Sequence, residues 1–260
     1  MKVVVILGSH RKGNTLKTIN QIEEKMQSLG NVEFTYLHLK NVNLKTCIGC
    51  FQCIQKGSDI CPIKDDKNLI LNTLLNSDGV ILASPAYNFN VSTMMKNFID
   101  RFAHLGHQPK LFNQHVLLLS TTAGTGAAEV ITYLYKYVAK LWGFRSIISI
   151  KFLTPPYEKS IKHKNSDTQK IDNISKKFFN KMQSKNNYLR FHHVEQFCSL
   201  RAIFTMKQMK EAFPADYELY SSLKDKKYYY DIKVNTLKYS IALIQANILK
   251  LLIKTTFKKV

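Results

Sequence analysis

The stretch KVVVILGSHRKGNT, Lys2 to Thr15, decides the fold. Its first six residues form a β-branched, near-continuous apolar run, the pattern of a strand buried on both faces of a parallel sheet. A polar, glycine-containing loop follows, and helical periodicity runs from about Thr15 to Leu29. The same alternation then recurs. Val32–Leu39, Gly79–Ser84, His115–Thr122 and Phe144–Phe152 read as further strands. Helical stretches follow Asp65 and Asp66, run to about Phe102, and end near Trp142 before Gly143. Five strands with helical crossovers predict an α/β, doubly wound parallel sheet. Pro155 and Pro156 break the pattern, and a helical stretch at about 166–184 closes the domain.

Beyond about residue 187 the strand–helix alternation stops, so the expected organisation is an α/β domain over 1–184, with a Cys-rich insertion at 44–64, and a basic, mainly helical extension over 185–260. Charge separates the two parts. Residues 1–150 carry 16 basic and 9 acidic residues, whereas residues 151–260 carry 22 and 9. A basic region suits nucleic acid, anionic lipid or an acidic partner. Only Arg190 and Arg201 among the later basic residues are arginine, and base readout favours arginine, so specific nucleic-acid recognition is not expected. The apolar run Val3–Leu7 is too short for a signal-peptide core, and no uninterrupted apolar window is long enough to span a bilayer. A cytoplasmic protein is the expectation.

Three loops follow strand carboxyl ends, where open α/β sheets bind ligands. In the first, Gly8–Thr15, unpaired amides at a helix start form an anion site, to which Ser9, Asn14 and Thr15 add short polar groups and Arg11 adds charge. It is neither a Walker loop nor G-x-G-x-x-G. In the second, SPAYNFNVSTMMKNFIDRF at Ser84–Phe102, Pro85 holds the chain extended and Tyr87, Asn88 and Phe89 offer a flat wall for a planar ring. In the third, TTAGTG at Thr121–Gly126, two glycines let the backbone pass close to a ligand.

Together GSHRKGNT, SPAYNFNVSTMMKNFIDR and TTAGTG resemble the flavin-contacting loops of the NADPH-dependent FMN reductase family, over about residues 1–150. The resemblance implies a flavodoxin-like five-stranded sheet and an FMN cofactor. It places Ser9, Arg11, Asn14 and Thr15 on the FMN phosphate, Pro85, Ala86, Tyr87 and Asn88 along the isoalloxazine, and Thr122, Ala123 and Gly124 at its other edge. One departure is His10, where such loops often carry proline. Members of that family are often dimers, so a homodimer is implied. The implied activity is NAD(P)H-dependent reduction of a small acceptor through flavin, with no side-chain nucleophile.

Four cysteines fall within fifteen residues: Cys47, Cys50, Cys53 and Cys61, the last followed by Pro62. Four thiolates can ligate a 4Fe–4S cluster, and C-x2-C-x2-C curls around one face of a cubane. The segment resembles that of the iron–sulfur flavoproteins, a branch of the same superfamily, which implies an electron-relaying cluster. Zinc competes as the metal, although two C-x2-C pairs are absent, and packing or reactive thiols need no metal. The resemblance thus leaves an electron carrier as the alternative to a substrate-reducing enzyme.

Weaker candidates are His104 and His107, which follow the second loop's helix, and His192 and His193; surface positions are expected for the first pair. The last residues carry a stripe at Leu237, Ile241, Ile244, Ile248, Leu251 and Leu252, with lysines around its ends. Three surfaces could bury it: the chain's own α/β domain, a second subunit, or a membrane interface contacted peripherally.

Overall fold

The computed structural model describes residues 1–184 and 189–256. In chain order the elements begin β1 (Lys2–Leu7), α1 (Asn14–Gln27), β2 (Glu33–His38), the single turn α2 (Gln52–Gln55) and α3 (Lys67–Leu75). They continue with β3 (Gly79–Pro85), α4 (Thr93–Arg101), β4 (His115–Thr122), α5 (Ala127–Leu134), β5 (Ser146–Leu153) and α6 (Ile161–Gln183). Four more helices follow: α7 (Phe191–Phe204), α8 (Met209–Ala212), α9 (Pro214–Ser222) and α10 (Thr236–Thr256).

Two compact units emerge from the contacts. The first comprises Met1–Ile48, Ile63–Phe102 and Pro109–Ser184. It holds a parallel sheet in the order β2-β1-β3-β4-β5, the flavodoxin-like order, with the strand sequence reversing beside β1. The apolar runs explain it. Val3, Val5, Leu7, Ile81, Leu117 and Leu119 are buried in one core with Ile19 and Ile22 of α1 and Phe178 of α6. Each such side chain contributes roughly 1.5–3 kcal/mol of burial. β1 and β4 span the residues the sequence predicts, while α6 begins about five residues earlier than its periodicity suggests, at Ile161.

The second unit comprises Gly49–Pro62, Ala103–Gln108 and Lys185–Val260. Thus most of the cysteine segment groups with the later helices. Its interior is aromatic: Phe197, Tyr220 and Tyr228 are buried, and Tyr220 Oη accepts from the Tyr229 hydroxyl at 2.7 Å. Tyr220 Oη also donates to the His107 carbonyl at 2.6 Å. Asp216 is fully buried and accepts from Gln108 Nε2 at 2.8 Å and meets His107 Nδ1 at 2.7 Å. His107 is therefore an anchoring residue of this unit. His104, expected at the surface, is fully buried because the 103–106 turn packs inward.

α10 is long and apolar enough, by length and composition alone, to cross a membrane. A search for an uninterrupted apolar run misses it, because Gln245, Asn247 and Lys250 break the run.

Candidate functional site

The three loops named from the sequence leave β1, β3 and β4, which are adjacent strands, so the sheet brings them together. Several hydrogen bonds tie them. Gly8 N–H donates to the Ala83 carbonyl at 2.8 Å, and Ser92 Oγ donates to the Gly8 carbonyl. The same Ser92 oxygen caps α4 by accepting the Met95 N–H at 3.2 Å. Ala86 N–H donates to the Thr121 carbonyl at 2.8 Å. Thr15 Oγ1 and Thr121 Oγ1 meet at 2.7 Å in a buried bond joining the first loop to the third.

Within this frame the candidate residues divide. Ser9 is buried and its hydroxyl donates to the Arg11 carbonyl at 2.8 Å, so it shapes the first loop. Thr15 is likewise committed to Thr121. Arg11 and Asn14 are exposed at the start of α1. The N-cap is Gly13, which supplies no side-chain cap, and the first turn has no acidic residue. The first intrahelical bond joins Lys17 N–H to the Gly13 carbonyl at 3.1 Å, so the amides before it have no helical carbonyl to pair with and could serve an anion.

The second loop departs from Pro85, which is buried at the end of β3. Asn88 and Phe89 sit in the left-handed region at φ 47 and 60°, where side chains carry a conformational cost, and a Tyr87–Asn90 bridge closes the turn. The turn holds Tyr87 and Phe89 out, 43% and 57% exposed. Gly126 supports it from the third loop: its φ is 95°, and a Cβ there would stand 3.1 Å from the Phe89 Cα. Ala123 and Gly124 are exposed, and Thr122 Oγ1 accepts the Gly124 N–H at 3.2 Å. A nearby Cβ at Gly8 would overlap Met95 Cβ at 2.9 Å, so only glycine lets the first loop approach α4 this closely. Uncapped amides, a free arginine head, exposed rings and a glycine-lined third loop fit a phosphorylated planar cofactor.

The cysteines behave differently. Cys47 belongs to the first unit, and Cys50, Cys53 and Cys61 to the second. Cys50 is exposed and the other three are half-buried. Among the described residues, no three His, Cys, Asp or Glu side chains converge to hold a metal ion. The donor types suit a cluster, but their arrangement here does not form its cage. Cys198 is a packing residue: it is buried, and burial pushes its thiol up to about 11.

Residues 43–47, just before the cysteines, are fastened by groups that the sequence does not single out. Asn97 of α4 accepts the Cys47 N–H at 2.9 Å and donates to the Leu44 carbonyl at 3.2 Å. Asp65 accepts the Lys45 N–H at 3.0 Å, and Asp66 the Asn43 N–H at 3.1 Å. Asp65 also binds Arg101 of α4, with both side chains buried and the nearest contact at 2.8 Å. Asp65 and Asp66 read as a helix start in the sequence. Asp66 does occupy the N-cap of α3, but without a side-chain cap, and both carboxylates serve the neighbouring loop.

Sheet order and loop placement define a flavodoxin-like α/β protein whose candidate site is at the carboxyl edge of the sheet. A family model described as NADPH-dependent FMN reductase matches residues 1–156, and the chain belongs to that family. An iron-sulfur flavoprotein of Archaeoglobus fulgidus is 37% identical over 144 residues, which cover 55% of this chain and 64% of that relative. The match thus spans less than two thirds of that relative's length. An iron-sulfur flavoprotein of Clostridioides difficile is 28% identical over 232 residues, covering 87% of this chain and 97% of the relative. Among solved structures, RosB with a bound intermediate is similar at a TM-score of 0.57, with 13% identity over 91% of this chain and 92% of its own. An apo NADH:FMN oxidoreductase is similar at 0.54, with 18% identity over 71% and 91%. These two likenesses concern the fold.

Proposed function

We propose that the chain is an FMN-dependent NAD(P)H oxidoreductase acting on a small acceptor such as a flavin or a quinone. The observation that carries this reading is the joining of three loops at the ends of β1, β3 and β4, inside the residues matched by the FMN reductase family. In this reading Arg11, Asn14 and the first amides of α1 hold the phosphate. Pro85, Ala86, Tyr87 and Asn88 line one side of the ring system, and Thr122, Ala123 and Gly124 the other. Ser9 and Thr15 set loop shape. When bound, FMN would supply hydride and electron transfer, and the protein supplies position and electrostatics. The exposure of Tyr87 and Phe89 leaves a face where donor and acceptor could alternate. A homodimer and a cytoplasmic setting belong to the same proposal.

The test is direct. Purified chain should bind FMN in about one equivalent per site, and NADPH or NADH should bleach the flavin absorbance anaerobically, with re-oxidation on adding a quinone. Protein that binds no FMN after reconstitution would end the reading. FMN that binds yet is bleached by neither nicotinamide would shift it to an electron carrier fed by another reductant.

That second reading is favoured by the four cysteines and by the names of the relatives above. Among the described residues the thiols do not converge on a cluster site. Anaerobic preparation should yield about four iron and four sulfide per chain if a cubane assembles. Cys50→Ser should then lower iron and leave FMN bound, because the flavin loops lie elsewhere in the sequence. Stoichiometric zinc, or no metal after reconstitution, would remove the cluster.

A further inference from the structure

α10 buries very little of itself. Its buried positions are Ala242 and Ala246, on the side that packs against α7. Tyr239 extends this side, accepting a hydrogen bond from Arg201 Nη2 of α7 at 2.9 Å. The stripe identified in the sequence points the other way. Leu237, Ile241, Ile244, Ile248, Leu251 and Leu252 are between 42% and 70% exposed. At a helical turn of ~100° per residue these six occupy an arc of about 100°. The alanines lie roughly 150° from its centre. Among the described residues, therefore, nothing covers the stripe. At 1.5 Å per residue the stripe runs for about 22 Å along the helix.

The charges around the stripe decide what covers it. From Ile232 to Val260 the sequence has six lysines and no aspartate or glutamate. Lys238 and Lys254 stand on the two flanks of the stripe, each about 90–110° from its centre. Lysines at those angles reach headgroup level when an apolar face sinks into a bilayer. Two copies joined stripe to stripe would instead bring two acid-free, lysine-bearing helices together, with like charges facing at their ends. The stripe is also purely leucine and isoleucine, without the Trp, Tyr or Arg anchors that dominate protein interfaces.

We propose that α10 is a lipid-docking helix, which lies in the surface of an anionic membrane with its leucine–isoleucine stripe in the acyl boundary and its alanine face still packed on α7. Docking of this kind would hold a reductase beside membrane-dissolved acceptors, although the proposal stands without the flavin reading.

The experiment uses the full chain and phosphatidylcholine vesicles made with and without phosphatidylglycerol. Wild type should sediment with the anionic vesicles and at least about tenfold more weakly with the neutral ones. Raising the salt should release it. Ile244→Glu with Ile248→Glu changes two exposed positions, so circular dichroism should be unchanged while vesicle binding is lost. Lys254→Gln should weaken binding by about fivefold, without touching the stripe. Sedimentation velocity on the same samples separates the other occupants. A wild type that ignores anionic vesicles, binds both vesicle types equally, or keeps its binding in the double glutamate variant overturns the proposal. So does a dimer that the glutamate pair converts to monomer with no vesicle binding in either form, which would give the stripe to a second copy.

Discussion

Replacing Arg11 and Asn14 together by alanine should weaken FMN binding by about thirtyfold or more and leave the melting temperature of the FMN-free protein nearly unchanged. The asymmetry follows from where the two side chains sit. Both are exposed at the mouth of the first loop, and neither belongs to the core. The only hydrogen bond from the Asn14 side chain among the described contacts is a long one, 3.5 Å to the Thr154 carbonyl. A charge-assisted bond from Arg11 to a phosphate is worth roughly 1.5–3 kcal/mol, and a neutral bond from Asn14 about 0.5–1.5 kcal/mol. Their sum, about 2–4.5 kcal/mol, corresponds to the stated change in affinity. Fluorescence titration of FMN measures it. A double variant with wild-type affinity would mean that backbone amides alone hold the phosphate, and the assignment of these two residues would fall. Thr15→Ala is the useful contrast. It removes a buried bond to Thr121, so it should cost stability as well as affinity.

The largest effect on stability is expected at Asp65. Its side chain is fully buried against Arg101, which is itself 2% exposed, with contacts to the guanidinium at 2.8, 2.9 and 3.2 Å. Asp65→Ala takes away that carboxylate and the acceptor for the Lys45 and Lys67 N–H groups. Breaking one side of a buried pair costs about 3–5 kcal/mol, because the remaining charge is left in a low dielectric. Lys96 and Asp100 form the control on the same helix. They are 47% and 41% exposed, so Asp100→Ala should cost no more than about 0.5 kcal/mol. Urea denaturation of the two variants gives the comparison. A loss below about 1 kcal/mol for Asp65→Ala would show that water or a rearranged partner replaces the carboxylate.

Much of the site was readable in one dimension because it depends on local pattern. A strand buried on both faces must be apolar throughout, so KVVVIL and HVLLLSTT announce β1 and β4. Once strands and helices alternate, the loops at strand carboxyl ends become the ligand site by topology. Gly13 before α1 and Pro85 at the end of β3 then mark its edges. The partners that hold these loops were not readable. Asp65 and Arg101 are 36 residues apart, and Cys47 and Asn97 are 50 apart. Nothing in the spacing of either pair distinguishes it from surface charge or a surface amide. The burial of Tyr228 against the Phe197 ring was not readable either, since tyrosine is at home both at the surface and in the core.

By itself, then, the sequence determined the strand and helix order of the α/β part, the three loops at strand carboxyl ends and the presence of an apolar stripe near residue 244, because each rests on periodicity or on residues close together in the chain. The tertiary structure alone decided which carboxylate meets which cation, that His107 anchors on Asp216, that among the described residues no three of the cysteines form a metal-holding group, and that the stripe of α10 faces outward. Those outcomes depend on which faces pack, and packing is settled between segments distant in sequence, where burial converts an ordinary polar residue into a required partner and leaves an ordinary apolar one uncovered.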